Sequence, residues 1–361
     1  MRILFLTPYP QGVAPSQRFR FEQYFEALRR DGHVVTVSPF LDLDAWKILY
    51  RPGRFFSKIS GITRGYFRRF LDMIAVSKHD IVFIHREASP FGPPWMEWFI
   101  AKVSRKPLVF DFDDAIWIPN SSENNRHIAK GMRSFSKTGK IIRWSSMVFA
   151  GNSYLADYAR KLNHSVEVIP TTIDTVGLHN MLADHLNIRP VIGWTGSHST
   201  LPLLESLVPV LKRLRTGFDF ELRVICDVPP EFKLDGLVFV PWSKENEISE
   251  LLKFDIGIMP LPDNEWTRGK CGFKALQYMS LGIPAVVSPV GVNSEIVTNG
   301  VNGLHCTSDQ EWYDGLAGLL RDKNRILQLS IACRSTVEKG YSVNSQKDRY
   351  LSLFNRVAAR R

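Results

Sequence analysis

Short runs of β-branched and aromatic residues alternate along the chain with longer amphipathic stretches. In the first half these runs predict strands over residues 2–7, 33–38, 81–85, 107–112, 147–150 and 166–170. After residue 189 the pattern begins again and predicts strands over residues 191–195, 221–226, 237–240, 254–259, 284–288 and 302–306. Strands that alternate with helices in this way are typical of parallel α/β sheets. The sequence therefore predicts an α/β fold with two successive doubly wound domains.

The segment between the first two predicted strands, residues 17–33, has a helical pattern. Its apolar residues recur at helical spacing from Phe21 to Leu28. Asp31 and Gly32 then supply a stop signal, since glycine commonly ends a helix. This pattern predicts an amphipathic helix between the two strands.

The domain boundary is predicted in the polar, unpatterned segment between Asp174 and Arg189. We place the first domain over residues 1–180 and the second over residues 181–361, with the last helix able to pack back on the first domain. Ligands of doubly wound sheets bind beyond the carboxyl ends of the strands. Two such domains facing across a cleft would bring both sets of strand ends to one site.

Composition excludes several classes of protein. Hydrophobic residues make up 44% of the 361 residues and charged residues 23%, which is ordinary for a globular protein. The four cysteines stand far apart, which fits a reducing compartment and indicates no zinc or other metal site. The apolar run at residues 3–6 is cut short by Pro8 and Pro10. We therefore expect neither a signal peptide nor a membrane span, and a cytoplasmic location.

The positive charge is concentrated near the N-terminus. The chain has a net charge of +10, and residues 45–71 carry seven Lys or Arg, seven aromatic residues and no acidic residue. Such a segment suits an anionic membrane surface, and it would place the protein peripherally on the inner face of the cell membrane. Nucleic acid and a solvated basic face with inward-packed aromatic residues are the alternatives. We favour the membrane surface and expect no nucleic-acid partner.

A cationic loop in the second domain indicates an anion site. Arg268 and Lys270 lead into a helix predicted to begin near Gly272, with Lys274 in its first turn. Free N–H groups, the positive end of the helix dipole and nearby cations favour an anion, phosphate by preference. The alternative is an exposed basic loop.

The segment that follows, GKCGFKALQYMSLGIPAVVSPVGVNSEIVTNGVNGL, resembles the C-terminal signature of retaining glycosyltransferases of the GT-B fold, close to glycosyltransferase family 4. VIGWTGSHSTLPLLESL is similar to the strand and glycine turn that open the second domain of this family. The resemblance implies two Rossmann-like domains and a retaining, metal-independent transfer of a sugar. The donor would be a UDP- or GDP-sugar, which is a substrate, so that no cofactor is required.

The resemblance also assigns donor-side residues. Lys270, with Arg268 or Lys274, would hold the donor diphosphate and stabilise charge on the leaving nucleotide. Glu295 would contact the nucleotide end of the donor, and Gly196 lies in the donor-side glycine turn.

The paired glutamates of the family fall on Gly269 and Gln277 in this chain. The Gln277 amide can bind a ribose diol, whereas Gly269 offers no side chain to the transferred sugar. This departure leaves one alternative open, a catalytically weak or inactive subunit that binds nucleotide-sugar or membrane.

Acidic residues follow the fourth predicted strand. Asp111, Asp113 and Asp114 lie within four residues, and such a repelling cluster is rarely only structural, although a solvated acidic turn is the alternative. The family has a His-Asp pair at this strand end, so the resemblance places Asp113 and Asp114 in catalytic positions. Asp113 would orient the acceptor hydroxyl or stabilise an oxocarbenium-like transition state.

Other polar residues are expected at the same edge. His85 ends the third predicted strand, and Arg86 and Glu87 follow it. Gly12 lies in the first loop, which corresponds to the acceptor-side loop of the family. Arg20, and Arg18 near it, are placed to meet an anionic acceptor such as a lipid diphosphate.

Together these features predict transfer to a lipid-linked or cell-surface glycan, as in polysaccharide biosynthesis. A phosphatase of the haloacid dehalogenase type is the rival enzyme, because FDFDDA resembles its magnesium-binding D-x-D loop. That loop normally follows the first strand and continues into Thr, whereas here it follows the fourth and continues into Ala115.

Overall fold

The computed structural model describes residues 1–49, 53–118 and 136–359. They form two compact units, each described below by itself. The first unit contains residues 1–171 and the described part of residues 347–361, and the second contains residues 172–346.

The first unit is built on a parallel sheet of six strands, β1 Arg2–Thr7, β2 Val34–Pro39, β3 Ile81–His85, β4 Leu108–Phe112, β5 Met147–Ala150 and β6 Val166–Val168. Their order across the sheet is β2-β1-β3-β4-β5-β6. The helices are Pro15–Arg18, Phe25–Arg30, Leu43–Ile48, Phe55–Ser77, Trp95–Trp98, Lys137–Trp144 and Ser153–Arg160, with a 3₁₀ turn at Glu22–Tyr24 and a π-helical turn at Phe99–Val103. The central strands β3 and β4 are buried along their whole length, as expected for a parallel sheet covered on both faces.

The second unit repeats this plan with six strands, β7 Val191–Thr195, β8 Glu221–Cys226, β9 Leu237–Pro241, β10 Ile256–Met259, β11 Ala285–Val287 and β12 Gly303–His305. All are parallel, and their order across the sheet is β12-β11-β10-β7-β8-β9. The helices are Leu201–Glu205, Val208–Arg215, Glu247–Leu251, Glu265–Arg268, Phe273–Ser280, Asn293–Ile296, Asp309–Arg321 and Lys323–Thr336, followed by a π-helical turn at Val337–Tyr341. All twelve predicted strands are present within two residues of their predicted ends.

The C-terminal helix Val343–Ala358 ends in the first unit. The ring of Tyr350 stacks on that of Tyr24 with centroids 4.2 Å apart. The ring centroid of Phe354 lies 6.2 Å from that of Phe5. All four rings are buried. Burying a side chain of this size contributes about 1.5–3 kcal/mol, so the helix end is an integral part of this core.

The predicted helix at residues 17–33 is broken in the structure. It divides into the short helix Pro15–Arg18, a 3₁₀ turn and the helix Phe25–Arg30. At the break, the carboxylate of Glu22 accepts hydrogen bonds from the side chain of Gln17 and from the backbone N–H of Gly12. These bonds fix a conformation that helical spacing alone does not reveal.

The long helix Phe55–Ser77 packs closely on the segment before it. A Cβ on Gly61 would lie 2.7 Å from the Cβ of Ala45, and one on Gly65 would lie 2.7 Å from the ring of Phe40. The opposite face exposes large apolar side chains, namely Phe55, Phe56, Ile59, Phe67, Phe70, Leu71 and Ile74. No helix among the described residues is long and apolar enough to span a bilayer.

Candidate functional site

A buried polar network lies at the carboxyl ends of β3 and β4. These strands pair so that His85 stands beside Asp111. Nδ1 of His85 lies 2.7 Å from Oδ2 of Asp111, and the guanidinium of Arg20 pairs with the other carboxylate oxygen. Burial would raise the pKa of Asp111, but Arg20 and His85 outweigh it and hold the pKa below its usual value. Asp111 is therefore a fixed carboxylate that holds the His85 ring in place.

Asp113 extends this network toward the surface. Its Oδ1 accepts a hydrogen bond from Nε of Arg86 at 2.7 Å and lies 3.9 Å from Nε2 of His85. Arg86 adopts a left-handed backbone conformation with φ of 59°, a strained geometry that clusters at functional sites. Burial would raise the pKa of Asp113, but Arg86 and His85 lower it to about 2. Asp113 is thus ionised at neutral pH, so it can accept hydrogen bonds or stabilise positive charge but cannot act as a general acid.

The neighbouring predicted residues occupy separate positions. Asp114 is half-buried and accepts the N–H of Ala115 at 3.0 Å. Glu87 pairs with Lys137 at 2.6 Å. Gly12 has φ of 81°, in the left-handed region that favours glycine, and donates its N–H to Glu22 at 2.8 Å. The structure thus joins Asp111, through the His85 ring, to Asp113, while Asp114 stands beside them in the chain.

Arg20 does not lie where the sequence placed it. Its side chain is 1% exposed, and it also donates to the carbonyl of Ile169. The guanidinium of Arg18 lies 4.9 Å from the ring centroid of Phe19. Arg20 therefore stabilises the network beneath the surface, in place of the expected contact with an anionic acceptor.

In the second unit, the predicted anion site is a pair of lysines at the start of the helix Phe273–Ser280. Nζ of Lys270 lies 3.8 Å from the ring centroid of Trp266, and Nζ of Lys274 lies 5.3 Å from that of Trp194. Burial, and then repulsion by Lys270, lower the pKa of Lys274 to about 8. The two ammonium groups raise each other's energy, so this corner of the unit favours an anionic ligand.

Glycines allow the loops to approach this helix start. Gly272 caps the helix with φ of 67°, and a Cβ there would lie 2.3 Å from Cδ1 of Ile296. Gly291 has φ of 56°, and a Cβ there would lie 2.6 Å from the carbonyl oxygen of Arg268. The turn after β11 therefore packs directly on the cationic loop. Side chains at either glycine would push the two segments apart.

Arg268 and Glu295 lie at the surface. Arg268 is exposed and forms a two-bond pair with Asp263, at 2.6 and 3.0 Å. Glu295 is exposed on the helix Asn293–Ile296. Gly196 packs against Trp194, since a Cβ there would lie 2.3 Å from the indole ring. Gly196 therefore packs against the same tryptophan over which Lys274 lies.

Gln277 is held by a partner that the sequence did not indicate. The residue is 1% exposed, and its amide donates to Oε1 of Glu247 at 3.1 Å. The same oxygen accepts the indole N–H of Trp242 at 3.3 Å. A ribose contact at Gln277 would have to displace this hydrogen bond.

Sequence reasoning missed three residues near these strand ends. Asp227 follows β8 directly, and His198 lies three residues after the end of β7. The rule that ligands bind beyond parallel strand ends would have selected both. Glu247 begins a helix and gave no such signal. Within residues 1–49, 53–118 and 136–359, no group of three or more His, Cys, Asp or Glu side chains is arranged to hold a metal ion.

Comparison with known proteins agrees with this architecture. Residues 189–322 match the family model for glycosyl transferases group 1. This stretch contains β7 to β12 and is similar to the domain that this model describes. A comparison with curated protein sequences finds no match.

Solved structures match almost the whole chain. Sucrose-phosphate synthase from Thermosynechococcus elongatus aligns with a TM-score of 0.70 at 14% identity, covering 100% of both chains. A glycosyltransferase from Rickettsia africae aligns at 0.69 and 13% identity, covering 99% of this chain and 98% of the other. HepE from Anabaena, solved with UDP-glucose, aligns at 0.67 and 14% identity, covering 98% of this chain and 99% of the other. The predicted GT-B fold is confirmed.

Proposed function

We propose that this protein is a retaining, metal-independent glycosyltransferase of hexosyl type. It moves a sugar from a nucleotide-sugar to a lipid-linked or cell-surface glycan in polysaccharide biosynthesis. The observation that carries this proposal is the pair Lys270 and Lys274 at a helix start inside the stretch that matches the family model for glycosyl transferases group 1. A uridine diphosphate sugar is the first donor to test, because the similar HepE was solved with UDP-glucose. A GDP-sugar is the second.

On the donor side, Lys270 and Lys274 bind the diphosphate and stabilise the charge that grows on it as the glycosidic bond breaks. Binding favours the charged form of Lys274 and so offsets the repulsion between the two cations. Glu295 contacts the nucleoside, and Gln277 does so once its amide is released from Glu247. The lack of a side chain at Gly196 lets the loop after β7 pack on Trp194, near Lys274. Arg268 adds positive potential from its exposed position beside the two lysines.

On the acceptor side, Asp113 supplies a fixed negative charge. It stabilises an oxocarbenium-like centre or orients the attacking hydroxyl, and the proton of that hydroxyl passes to the leaving phosphate. His85 and Asp114 complete the group of polar side chains at the carboxyl ends of β3 and β4. Gly12 lets the backbone approach the substrate. The low pKa of Asp113 fits this role, because a weakly basic carboxylate stays charged throughout the reaction.

Turnover with a donor panel tests the reaction. We expect release of one nucleoside diphosphate without added metal, and a product whose anomeric configuration by NMR equals that of the donor. Asp113→Asn should lower kcat about 10²–10³-fold, the range seen when one charge-stabilising group is removed. Inversion of the anomeric centre, a metal requirement or full activity of Asp113→Asn would contradict the corresponding part of the proposal.

Membrane docking is the second part of the proposed function, and it rests on the outward face of the helix Phe55–Ser77. Phe56 is 85% exposed, and Phe67 and Phe70 are 64% and 60% exposed. Aromatic residues turned outward beside cations suit the boundary between lipid headgroups and acyl chains. Among the cations of the predicted window, Lys58 lies on this helix, and Arg51 lies outside the described residues together with Tyr50.

Arg64, Arg68 and Arg69, three of the window's cations, have structural partners. Arg68 donates to the carbonyls of Pro39 and Phe40 at 2.6 and 3.1 Å. Arg64 pairs with Asp42 at 2.9 Å. Arg69 is buried, where it pairs with Asp72 and donates to the carbonyl of Thr7. The membrane proposal therefore depends more on the aromatic face and less on charge than composition alone indicated.

Vesicle flotation tests docking on a membrane surface rich in anionic lipid. We expect binding to vesicles with anionic lipid, weaker binding to neutral vesicles, and loss of binding in Phe67→Ser/Phe70→Ser. The matched control is Leu327→Ser/Ile331→Ser, which removes two exposed apolar residues from the second unit. Equal binding to neutral vesicles would contradict the electrostatic part, and unchanged binding of the double Phe variant would contradict the aromatic part.

A further inference from the structure

His198 and Asp227 form a pair at the carboxyl ends of β7 and β8. The carboxylate of Asp227 accepts the backbone N–H of His198 at 2.6 Å through Oδ1, and its Oδ2 lies 2.6 Å from Nδ1 of the ring. The two side chains are 46% and 44% exposed. Because one carboxylate holds both the backbone and the ring, the imidazole has a fixed orientation with Nε2 directed away from Asp227.

Asp227 remains charged in this arrangement. Burial would raise its pKa, but the hydrogen bonds from the ring and backbone of His198 lower it below the usual value. A carboxylate at Nδ1 fixes the proton on that nitrogen. Nε2 then carries a lone pair when the ring is neutral and an N–H donor when the ring is charged. Only the charged ring can bind an anion through Nε2.

The pair lies at the same sheet edge as the lysines. The thiol of Cys226 lies 3.4 Å from Oδ1 of Asp227, and Cys226 is close enough to Lys274 to interact with it electrostatically. Lys274 lies over Trp194, against which Gly196 packs two residues before His198. The loop after β7 and the start of the helix Phe273–Ser280 therefore border one region of the second unit.

We propose that His198, in its protonated form, is a third cation of the donor-diphosphate site. Its Nε2–H donates to a phosphate oxygen, while Asp227 is the positioning residue that orients the ring. Donor binding thus takes up one proton when the ring begins neutral. This inference rests on the proposed function, because it assumes a nucleotide-sugar at the lysine pair.

The charged and titratable groups around His198 change their charge mainly outside the pH range from 5.5 to 7.5. Asp227 stays ionised, and burial raises the pKa of the Cys226 thiol to about 11, so neither changes charge between pH 5.5 and 7.5. Lys274, with a pKa of about 8, affects binding mainly above that range. An imidazole changes charge between pH 5 and 8. A pH dependence of binding between 5.5 and 7.5 is therefore assigned to His198 by its loss in His198→Gln.

The experiment is calorimetric titration of the full chain with UDP-glucose from pH 5.5 to 8, and with GDP-glucose as the second probe. The diphosphate of these sugars keeps its charge over this range. We expect wild-type affinity to fall about three- to tenfold as pH rises from 5.5 to 7.5. His198→Gln should remove this dependence and bind three- to tenfold more weakly at pH 5.5, with near-wild-type affinity at pH 7.5. Asp227→Asn should also weaken the pH dependence, because the ring loses its anchor.

His164→Gln is the matched control, since His164 is exposed in the first unit and should leave affinity and pH dependence unchanged. Equal melting temperatures without ligand verify that the variants fold. If wild type binds UDP-glucose and His198→Gln keeps both affinity and pH dependence, the inference is overturned while the donor site stands. If wild type binds neither sugar nucleotide, the proposed function fails together with this inference.

Discussion

The strand ends of the two units hold their charges in opposite ways. In the first unit Asp111 is paired with Arg20 and Asp113 with Arg86, so buried charges of opposite sign compensate each other. In the second unit Lys270 and Lys274 lie over tryptophan rings and repel each other. The first edge is therefore assembled before any substrate arrives, whereas the second is stabilised by the anion that it binds.

The pKa shifts express the same difference. Pairing lowers the pKa of Asp113 to about 2 and locks it in its charged form. Burial and repulsion lower the pKa of Lys274 to about 8, which brings it toward its neutral form. Removing a partner in the first unit should therefore destabilise the protein, while removing a cation in the second should stabilise the ligand-free protein.

The largest expected effect comes from breaking the compensated pair. Arg20→Met leaves the buried Asp111 carboxylate without its guanidinium, and we expect the free energy of unfolding to fall by about 3–5 kcal/mol. Urea denaturation measures this loss. Arg30→Met is the control, because Arg30 pairs with Glu26 at an exposed site and should cost less than about 1 kcal/mol. Equal losses in the two variants would contradict the account of the first unit.

A smaller effect of opposite sign is expected at Lys274. Its folded pKa of about 8 lies below its ordinary value of 10.5, so the unfolded chain binds more protons between these pH values. This residue therefore makes stability rise as pH increases from 8 to 10.5, by up to about 3 kcal/mol at 1.36 kcal/mol per pKa unit. Lys274→Met should remove that rise and be more stable than wild type at pH 7.

Urea denaturation at pH 7, 8 and 10.5 measures the difference between wild type and variant. The exposed Lys161 provides the control, and Lys161→Met should follow wild type at each pH. A Lys274→Met protein that is less stable than wild type at pH 7 would show that the lysine pair is not held against its own repulsion.

The smallest effect on stability and affinity is expected at the exposed residue Arg268 of the second unit. Arg268 is exposed and paired with Asp263, so Arg268→Gln should change the free energy of unfolding by less than about 1 kcal/mol. Its affinity for a sugar nucleotide should fall less than that of Lys270→Ala, because solvent screens an exposed charge. Calorimetric titration of both variants compares these losses of affinity. A larger loss for Arg268→Gln would indicate that the diphosphate binds at the exposed Arg268 and not at the lysine pair.

The sequence predicted elements better than it predicted partners. The periods of hydrophobicity placed all twelve strands, and the start of the helix Phe273–Ser280 followed from Gly272 and its cationic loop. The broken segment at residues 17–33 escaped prediction, because side-chain bonds from Glu22 set its course. That break accompanies the turn of Arg20 into the interior, where its guanidinium pairs with Asp111.

The candidate sites show the same limit. Because carboxyl ends of parallel strands meet at one edge, the sequence predicts His85 at the same edge as the acidic cluster. The pairing of His85 with Asp111 depends in addition on the register of β3 and β4. The partner of Gln277 is Glu247, thirty residues away on another helix. Such pairings depend on three-dimensional packing, which a single sequence does not encode as a local pattern.

The central claim is that the lysine pair binds the diphosphate of a sugar nucleotide. Thermal unfolding with UDP, GDP, ADP, CMP and their sugar conjugates, with and without magnesium, tests it most directly. A ligand at 100 times its Kd adds about 2.7 kcal/mol of apparent stability. The account predicts that one nucleoside diphosphate raises Tm without magnesium, and that Lys270→Ala loses this rise while Lys161→Ala keeps it. No shift with any nucleotide, or an undiminished shift in Lys270→Ala, would contradict it.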